Sequence, residues 1–277
     1  MSAAGGGTGK RIVQALLVPV AVLALWEGLS RAGFINPLIL PSPTKVALRW
    51  WSYLSPQKPF DAAEGPYLTW LVSGELLHDA AASLFRVFAG FLIGGSLGLG
   101  LGLLMGVSST VYRLMNPLVQ ILRPIPPIAY IPLAILWFGL GNPPAFFLIS
   151  LGAFFPILLN TIAGVRNVDA IYVRAARNLG AGGLVMFRRV ILPAAAPHIL
   201  TGVRVGYGVA FIVVIVAEMI AVNSGLGYRI LEAREFFWPD KIIAGMITIG
   251  VIGLGIDTAL NKFSNHLLRW HRSLESS

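Results

Sequence analysis

Long apolar runs alternate with short polar segments along the whole chain. A membrane helix needs about 20 predominantly apolar residues. Six runs meet that length: Ile12 to about Ala32, about Ser83 to Val107, about Pro117 to Leu140, about Pro144 to Val165, about Ile199 to Val222, and about Ile242 to Lys262. The first follows Lys10-Arg11, as the core of a signal peptide would, but no small-x-small cleavage site follows and the apolar stretch continues past Trp26. It is therefore expected to be a retained helix. The pattern predicts an all-α membrane protein with six transmembrane helices over residues 12–265, flanked by tails at 1–11 and 266–277.

Two polar stretches interrupt the apolar runs. An insertion at about 33–82 opens on turn chemistry, Asn36-Pro37 and Pro41-Ser42-Pro43. It continues with Lys45, Val46, Leu48, Arg49, Trp50 and Trp51, a mixture that suits a short helix lying in the membrane interface. The other stretch, about 166–198, lies on the opposite side and still reads as helix in its middle.

Composition sharpens this reading. Hydrophobic residues make up 56% of the 277 positions and charged residues 12%, where a soluble domain carries about 25% charge. Mean hydropathy is +0.76, which excludes an ordinary soluble enzyme. The net charge of +9 would suggest nucleic acid in a soluble protein. Here the charge sorts by topology, and no nucleic-acid partner is expected. Lys10, Arg11, Arg113, Arg166, Arg174, Arg177, Arg188, Arg189, Arg204, Lys262, Arg269 and Arg272 fall on one side, opposed only by Asp169 and Glu275. On the other side, Arg31, Lys45, Arg49, Lys58, Arg229, Arg234 and Lys241 are offset by Asp61, Glu64, Glu75, Asp79, Glu232, Glu235 and Asp240. Positive charge stays cytoplasmic, so both termini are expected inside.

Several features inside the spans stand out. Gly90, Gly94, Gly98, Gly102 and Gly106 recur every fourth residue and make a glycine stripe suited to close helix packing. The third span carries Arg123-Pro124-Ile125-Pro126-Pro127-Ile128-Ala129-Tyr130-Ile131-Pro132. Prolines at that density break a helix, and irregular backbone at membrane depth belongs where it is buried in protein or lines a wet cavity. A break near the interface, solvated by water, is equally compatible. Arg123, Pro124, Pro126, Pro127 and Tyr130 are thus candidates for a translocation pathway, with Arg123 facing an anionic solute or an acidic partner. Glu27, Glu218 and Asp257 are acids within spans. Glu27 and Asp257, toward span ends, read as structural pairs. Glu218 is expected to face the bundle interior, either paired with an arginine of a neighbouring helix or as a pathway group.

Catalytic and metal motifs are missing from the sequence. Gly5-Gly6-Gly7-Thr8-Gly9-Lys10 lacks the leading glycine and trailing Ser/Thr of a phosphate loop. His78, His198, His266 and His271 have no ligand spacing, and the absence of cysteine removes thiolate chemistry. No metal site and no catalytic residue is expected.

The segment Tyr172-Val173-Arg174-Ala175-Ala176-Arg177-Asn178-Leu179-Gly180 predicts a short helix ended by a left-handed glycine cap. Gly182-Gly183 follow as a turn, and Phe187-Arg188-Arg189-Val190 begins a second helical piece before Pro193 and Pro197. Small residues at its centre make this helix–turn–helix a docking peg for another protein.

At this loop the chain resembles the permease subunits of ATP-binding-cassette (ABC) importers, whose pattern is Glu-Ala-Ala, three residues, Gly, nine residues, Ile-x-Leu-Pro. Arg174-Ala175-Ala176, Gly180, Val190, Leu192 and Pro193 fall at the same spacing, with Arg174 in place of the glutamate and Val190 in place of the isoleucine. Leu40-Pro41-Ser42-Pro43, Arg123 to Pro127, Trp137-Phe138-Gly139 and Ala233-Arg234-Glu235-Phe236 look like the nitrate/sulfonate/taurine/bicarbonate branch, most like its aliphatic sulfonate and taurine members. The resemblance implies a type I importer permease fold with a cytoplasmic coupling helix, in an inner membrane. It further implies a second, identical permease, two ATPase subunits that carry ATP and Mg, and a periplasmic or lipid-anchored binding protein. Arg174, Ala175, Ala176, Arg177, Gly180, Leu192 and Pro193 would contact the ATPase, this chain holding no cofactor of its own. The rival reading is a channel or secondary transporter that works without ATP.

Overall fold

In the computed structural model the described residues are 7–56, 59, 67, 70 and 73–268. They form helices α1 (Gly7–Arg31), α2 (Pro43–Leu54), α3 (Glu75–Val107), α4 (Ser109–Leu122), a 3-10 turn (Pro127–Tyr130), α5 (Ile131–Phe138), α6 (Asn142–Arg166), α7 (Ala170–Asn178), α8 (Gly183–Ala221), α9 (Leu226–Glu235) and α10 (Pro239–Leu267). Lys58, Asp61, Glu64, Arg269, Arg272, His271, Glu275 and most of both expected tails lie outside the described residues.

Among the described residues α3, α6, α8 and α10 are long and apolar enough to cross a membrane, and α4 with α5 makes a fifth crossing if that bent pair is one span. α1, at Gly7–Arg31, overlaps the expected first span at 12–32 but is not among those crossing helices. The helices outrun their apolar windows. α3 has 33 residues, about 50 Å of helix against a hydrocarbon core of about 30 Å. Hydropathy marks only the lipid-buried part, while the backbone ladder continues through the polar ends. The third span departs most from expectation. It starts at Ser109, where Ser108 accepts from the Val111 N–H and caps the helix, and it turns by 82° at the prolines.

The chain divides into two compact units, Met1–His78 with Arg229–Thr248, and Asp79–Tyr228 with Ile249–Ser277. In the first, α2 begins at Pro43, capped by Ser42, whose hydroxyl accepts from Lys45 N–H. Glu27 accepts from Arg31 (2.5 Å) and from both the backbone N–H and the hydroxyl of Thr44 (3.0 and 2.7 Å), tying α1 to α2. Arg49 pairs with Asp240 at 2.7 Å, and Trp50 Nε1 donates to Thr248 at 2.9 Å.

The second unit packs by small residues. In lipid there is little hydrophobic drive between helices, so close van der Waals approach has to supply the contact. α6 lies along α8, with Ala145, Leu148, Ala153 and Ile157 against Tyr207, Ala210, Val213 and Ala217. A Cβ on Gly206 would come within 2.9 Å of Ile157 Cγ1, and one on Gly202 within 2.6 Å of Asn160 Cβ. α3 meets the same helix through the whole glycine stripe. A Cβ on Gly90, Gly98, Gly102 or Gly106 would lie 2.6–2.7 Å from Ile149, Phe154, Thr161 or Val165, and one on Gly94 would overlap the Ser150 carbonyl.

Candidate functional site

Three local structures carry the residues that the sequence singled out. The first is the peg. α7 is capped by Asp169, whose carboxylate accepts from Ile171 N–H at 2.8 Å. At its other end Gly180 takes φ +82°, a conformation open to glycine at little cost. Gly180 N–H donates to Arg177 C=O and Ala181 N–H to Ala176 C=O, both 2.9 Å, the paired bonds of a Schellman cap. Arg174, Ala175, Arg177 and Gly180 are exposed and Ala176 is half-buried. A Cβ on Gly180 would meet nothing within 4 Å. Ile171, Tyr172, Leu179, Leu184 and Val185 present apolar side chains on the same segment, Leu179 being 89% exposed.

Leu192 and Pro193 lie apart from this exposed group. The expected second helical piece is the first stretch of α8, which passes through a π turn at Phe187–Ile191 and continues unbroken. Leu192 and Pro193 follow that turn and are half-buried. Pro193 lies inside this continuous helix, and its missing N–H leaves a carbonyl of the preceding π turn without its helical donor.

The second structure is the proline break. Arg123 is the C-cap of α4, and Pro126 leads into the 3-10 turn. Arg123, Ile125, Pro126 and Pro127 line a cavity of about 410 Å³, completed by Leu151, Gly152, Phe155, Pro156, Leu159 and Asn160 of α6 and Val205 and Val209 of α8. Pro124 and Tyr130 are not on its wall. Tyr130 instead packs edge-on against Phe147, centroids 6.4 Å apart. Asn160 had not been singled out in the sequence. Its signal there is an amide within the apolar run after Pro156.

The third structure surrounds Glu218, which is fully buried. Arg86 Nη1 donates to Glu218 Oε1 at 2.7 Å, Ser83 Oγ donates to Oε2 at 2.8 Å, and Gly227 N–H donates to Oε2 at 3.0 Å. Arg86 donates further to Asn142 Oδ1 (2.7 Å), Ser224 C=O (2.9 Å) and Ser224 Oγ (2.6 Å). Gly225 N–H donates to buried Asp79, and Leu226 N–H donates to Ser83 Oγ, both at 2.9 Å. The arrangement ties α3, the start of α6, the end of α8 and the 223–227 turn together. Of the two roles open to Glu218, the geometry shows the ion pair. Arg86 escaped notice in the sequence although the same rule that flags a lone acid in a span flags a lone arginine. Asp257 is likewise paired, accepting from Arg204 at 2.8 and 3.0 Å. Both partners are about half-exposed, so this pair adds little.

Apolar helices long enough to cross a membrane, joined through glycines and with an exposed capped helix between two of them, define a helical membrane protein. Residues 98–272 match the family described as binding-protein-dependent transport system inner membrane component, and the chain belongs to that family. It is 36% identical over 263 residues to a putative aliphatic sulfonates transport permease protein of Bacillus subtilis, covering 95% of this chain and 89% of that one. It is 34% identical over 254 residues to the taurine transport system permease protein of Escherichia coli, covering 92% and 88%. The fold is similar to that of the MetNI methionine ABC transporter in inward-facing form, with TM-score 0.61 at 19% identity over 70% of this chain and 96% of that one. The protein is thus the permease of an ABC importer, an inner-membrane transport-pathway subunit of a family that works with ATPase and binding-protein partners.

Proposed function

We propose that two copies of this chain form one translocation pathway for a small organic anion, with six spans each and both termini in the cytoplasm. Two ATPase subunits, which hold ATP and Mg, grip α7 from the cytoplasmic side. A binding protein delivers the solute from the other side. The exposed α7 carries this reading: its small residues, its apolar strip and its Schellman cap are suited to a partner surface. ATP binding must favour the outward-open state over the inward-open one, and α7 is the contact through which that difference in free energy reaches the helices. Two further features support an anionic cargo: a guanidinium at the proline break and the sulfonate and taurine permeases among the relatives. On this reading Arg123, Pro126 and Pro127 face the pathway, and Arg174, Ala175, Ala176, Arg177 and Gly180 face the ATPase, with Leu192 and Pro193 relaying movement into α8.

Gly180→Trp tests the coupling. The side chain would project from an exposed position into the partner surface, and φ +82° disfavours a bulky residue. ATP-driven uptake in proteoliposomes is expected to fall at least about tenfold while the subunit still inserts, and Gly180→Asn, which tolerates this backbone conformation, should retain uptake. Normal uptake by Gly180→Trp would end the assignment.

A further inference from the structure

Helix α9 ends on a residue that its backbone disfavours. Phe237 N–H donates to Arg234 C=O at 3.2 Å and Trp238 N–H to Ala233 C=O at 2.8 Å. These are the paired bonds of a Schellman cap, the same pair that ends α7. At α7 the left-handed position holds Gly180; here it holds Phe237, at φ +56°. Among the described residues no other non-glycine has a positive φ. A bulky side chain at that angle crowds its own backbone, and glycine or asparagine would form the same cap with less strain. Strain of this kind persists where the surroundings offset it. The described residues do not cover the ring, which is 82% exposed.

Phe237 does not stand alone. Phe236, also exposed, stacks on Trp238 with centroids 4.9 Å apart. Lys241 Nζ lies over the Trp238 ring at 4.6 Å and over the Tyr53 ring of α2 at 4.9 Å. Arg49 of α2 pairs with Asp240. The two charges next along the chain thus brace the corner, and three adjacent aromatic side chains are left at its surface. Their position indicates what meets them. α10 starts at Pro239 and its apolar run at Ile242. Three helical residues rise about 5 Å, and the headgroup layer is about 5–7 Å deep on each side of the hydrocarbon. The rings therefore lie at the level where aromatic side chains are enriched in membrane proteins. A soluble partner would have to displace headgroups to reach them.

We propose that the α9–α10 corner is a lipid-docking surface, in which Phe237 reaches the acyl chains while Phe236 and Trp238 sit among the headgroups. Contact with lipid offsets the strain of the cap, and the corner fixes where α10 enters the membrane. This contact depends neither on the solute nor on ATP coupling.

The chain has no cysteine, so single nitroxide labels can be placed at Phe237→Cys and Phe236→Cys without other changes. The second leaves the left-handed residue native. The complex is held in nanodiscs of phosphatidylethanolamine and phosphatidylglycerol. Collision rates are measured with oxygen, which concentrates in lipid, and with a nickel chelate, which stays in water. A label at Met246→Cys, exposed on α10, marks lipid, and free label in buffer marks water. Relative to free label, both corner labels are expected to favour oxygen over nickel at least about threefold, as interfacial side chains should. Adding solute-loaded binding protein should leave that ratio unchanged. Phe237→Gly suits the backbone and deletes the ring. It should raise nickel collisions at Phe236→Cys at least about twofold, because the corner loses its anchor. Nickel access equal to that of free label would overturn the proposal. Exclusion of both reagents would do the same by assigning the surface to protein, as would nickel access that is lost only when binding protein is added. An unchanged Phe236→Cys signal in the Phe237→Gly background would remove Phe237 from the anchor.

Discussion

Glu218→Ala should be the most damaging single-residue truncation in the chain, lowering stability by about 3–5 kcal/mol. The loss has two parts of very different size. Interhelical hydrogen bonds within membrane bundles average only about 0.6 kcal/mol each, so the bonds from Ser83 and Gly227 cannot account for it. The larger part is Arg86, 6% exposed at its side chain, which would keep a buried charge with no counterion. Glu218→Gln should lose nearly as much, because it keeps the shape and an acceptor but not the charge. Arg86→Met combined with Glu218→Leu should recover much of the loss, since removing both charges also removes the cost of desolvating them. Recovery would be incomplete: Ser224 and Asn142 lose the donors that Arg86 gives them. Thermal unfolding of the detergent-purified permease, arranged as a double-mutant cycle, measures this directly. Additive losses from the two single changes would show that the pair does not stabilise the bundle.

The second large effect is expected at the glycine stripe. Gly94→Leu should prevent α3 from packing on α6 and leave little folded permease in the membrane. The five positions are not equivalent. At Gly94 and Gly98 the nearest atom is a backbone carbonyl of α6, at Ser150 and Phe154, while at Gly90, Gly102 and Gly106 it is a Cβ of Ile149, Thr161 or Val165. A carbonyl in a helix cannot rotate aside without breaking its own bond, so the helices must separate. Overpacking in a rigid core costs about 1–3 kcal/mol for small additions, and a leucine exceeds a small addition. Gly100 is the internal control, since a Cβ there meets nothing within 4 Å. Gly100→Ala should be neutral or stabilising by up to about 1 kcal/mol, through the lower backbone entropy of alanine. Yields of monodisperse protein after membrane extraction should separate the two variants sharply, and equal yields would remove the stripe from the packing of α3.

Much of the site was legible beforehand, for identifiable reasons. The short helix before Gly180 and its glycine stop follow from local rules, because a left-handed glycine cap acts within a single turn; its start at Ala170, capped by Asp169, came only from the structure. The glycine repeat also announced a close helix contact without saying with which helix. Arg86 and Asn160 were not read, although both carry the signature of a polar group within an apolar run. Nothing local connects Arg86 to Glu218, which lies far away in sequence, and a lone polar residue has no assigned meaning until its partner is known.

Periodicity and composition by themselves determined that the chain is helical and membrane-embedded, because lipid forces every backbone polar group in a span to be satisfied internally and that constraint is written residue by residue. They also determined the short helix before Gly180 and its glycine cap, since such caps act locally. Only the tertiary structure decided that Glu218 belongs to a buried pair with Arg86, that the glycine stripe meets α6, and that Arg123 shares a cavity with Asn160. Each of these depends on which helices come together, and in a bundle of uniformly apolar helices that choice is made by shape and polar pairing across long sequence separations, which no local pattern records.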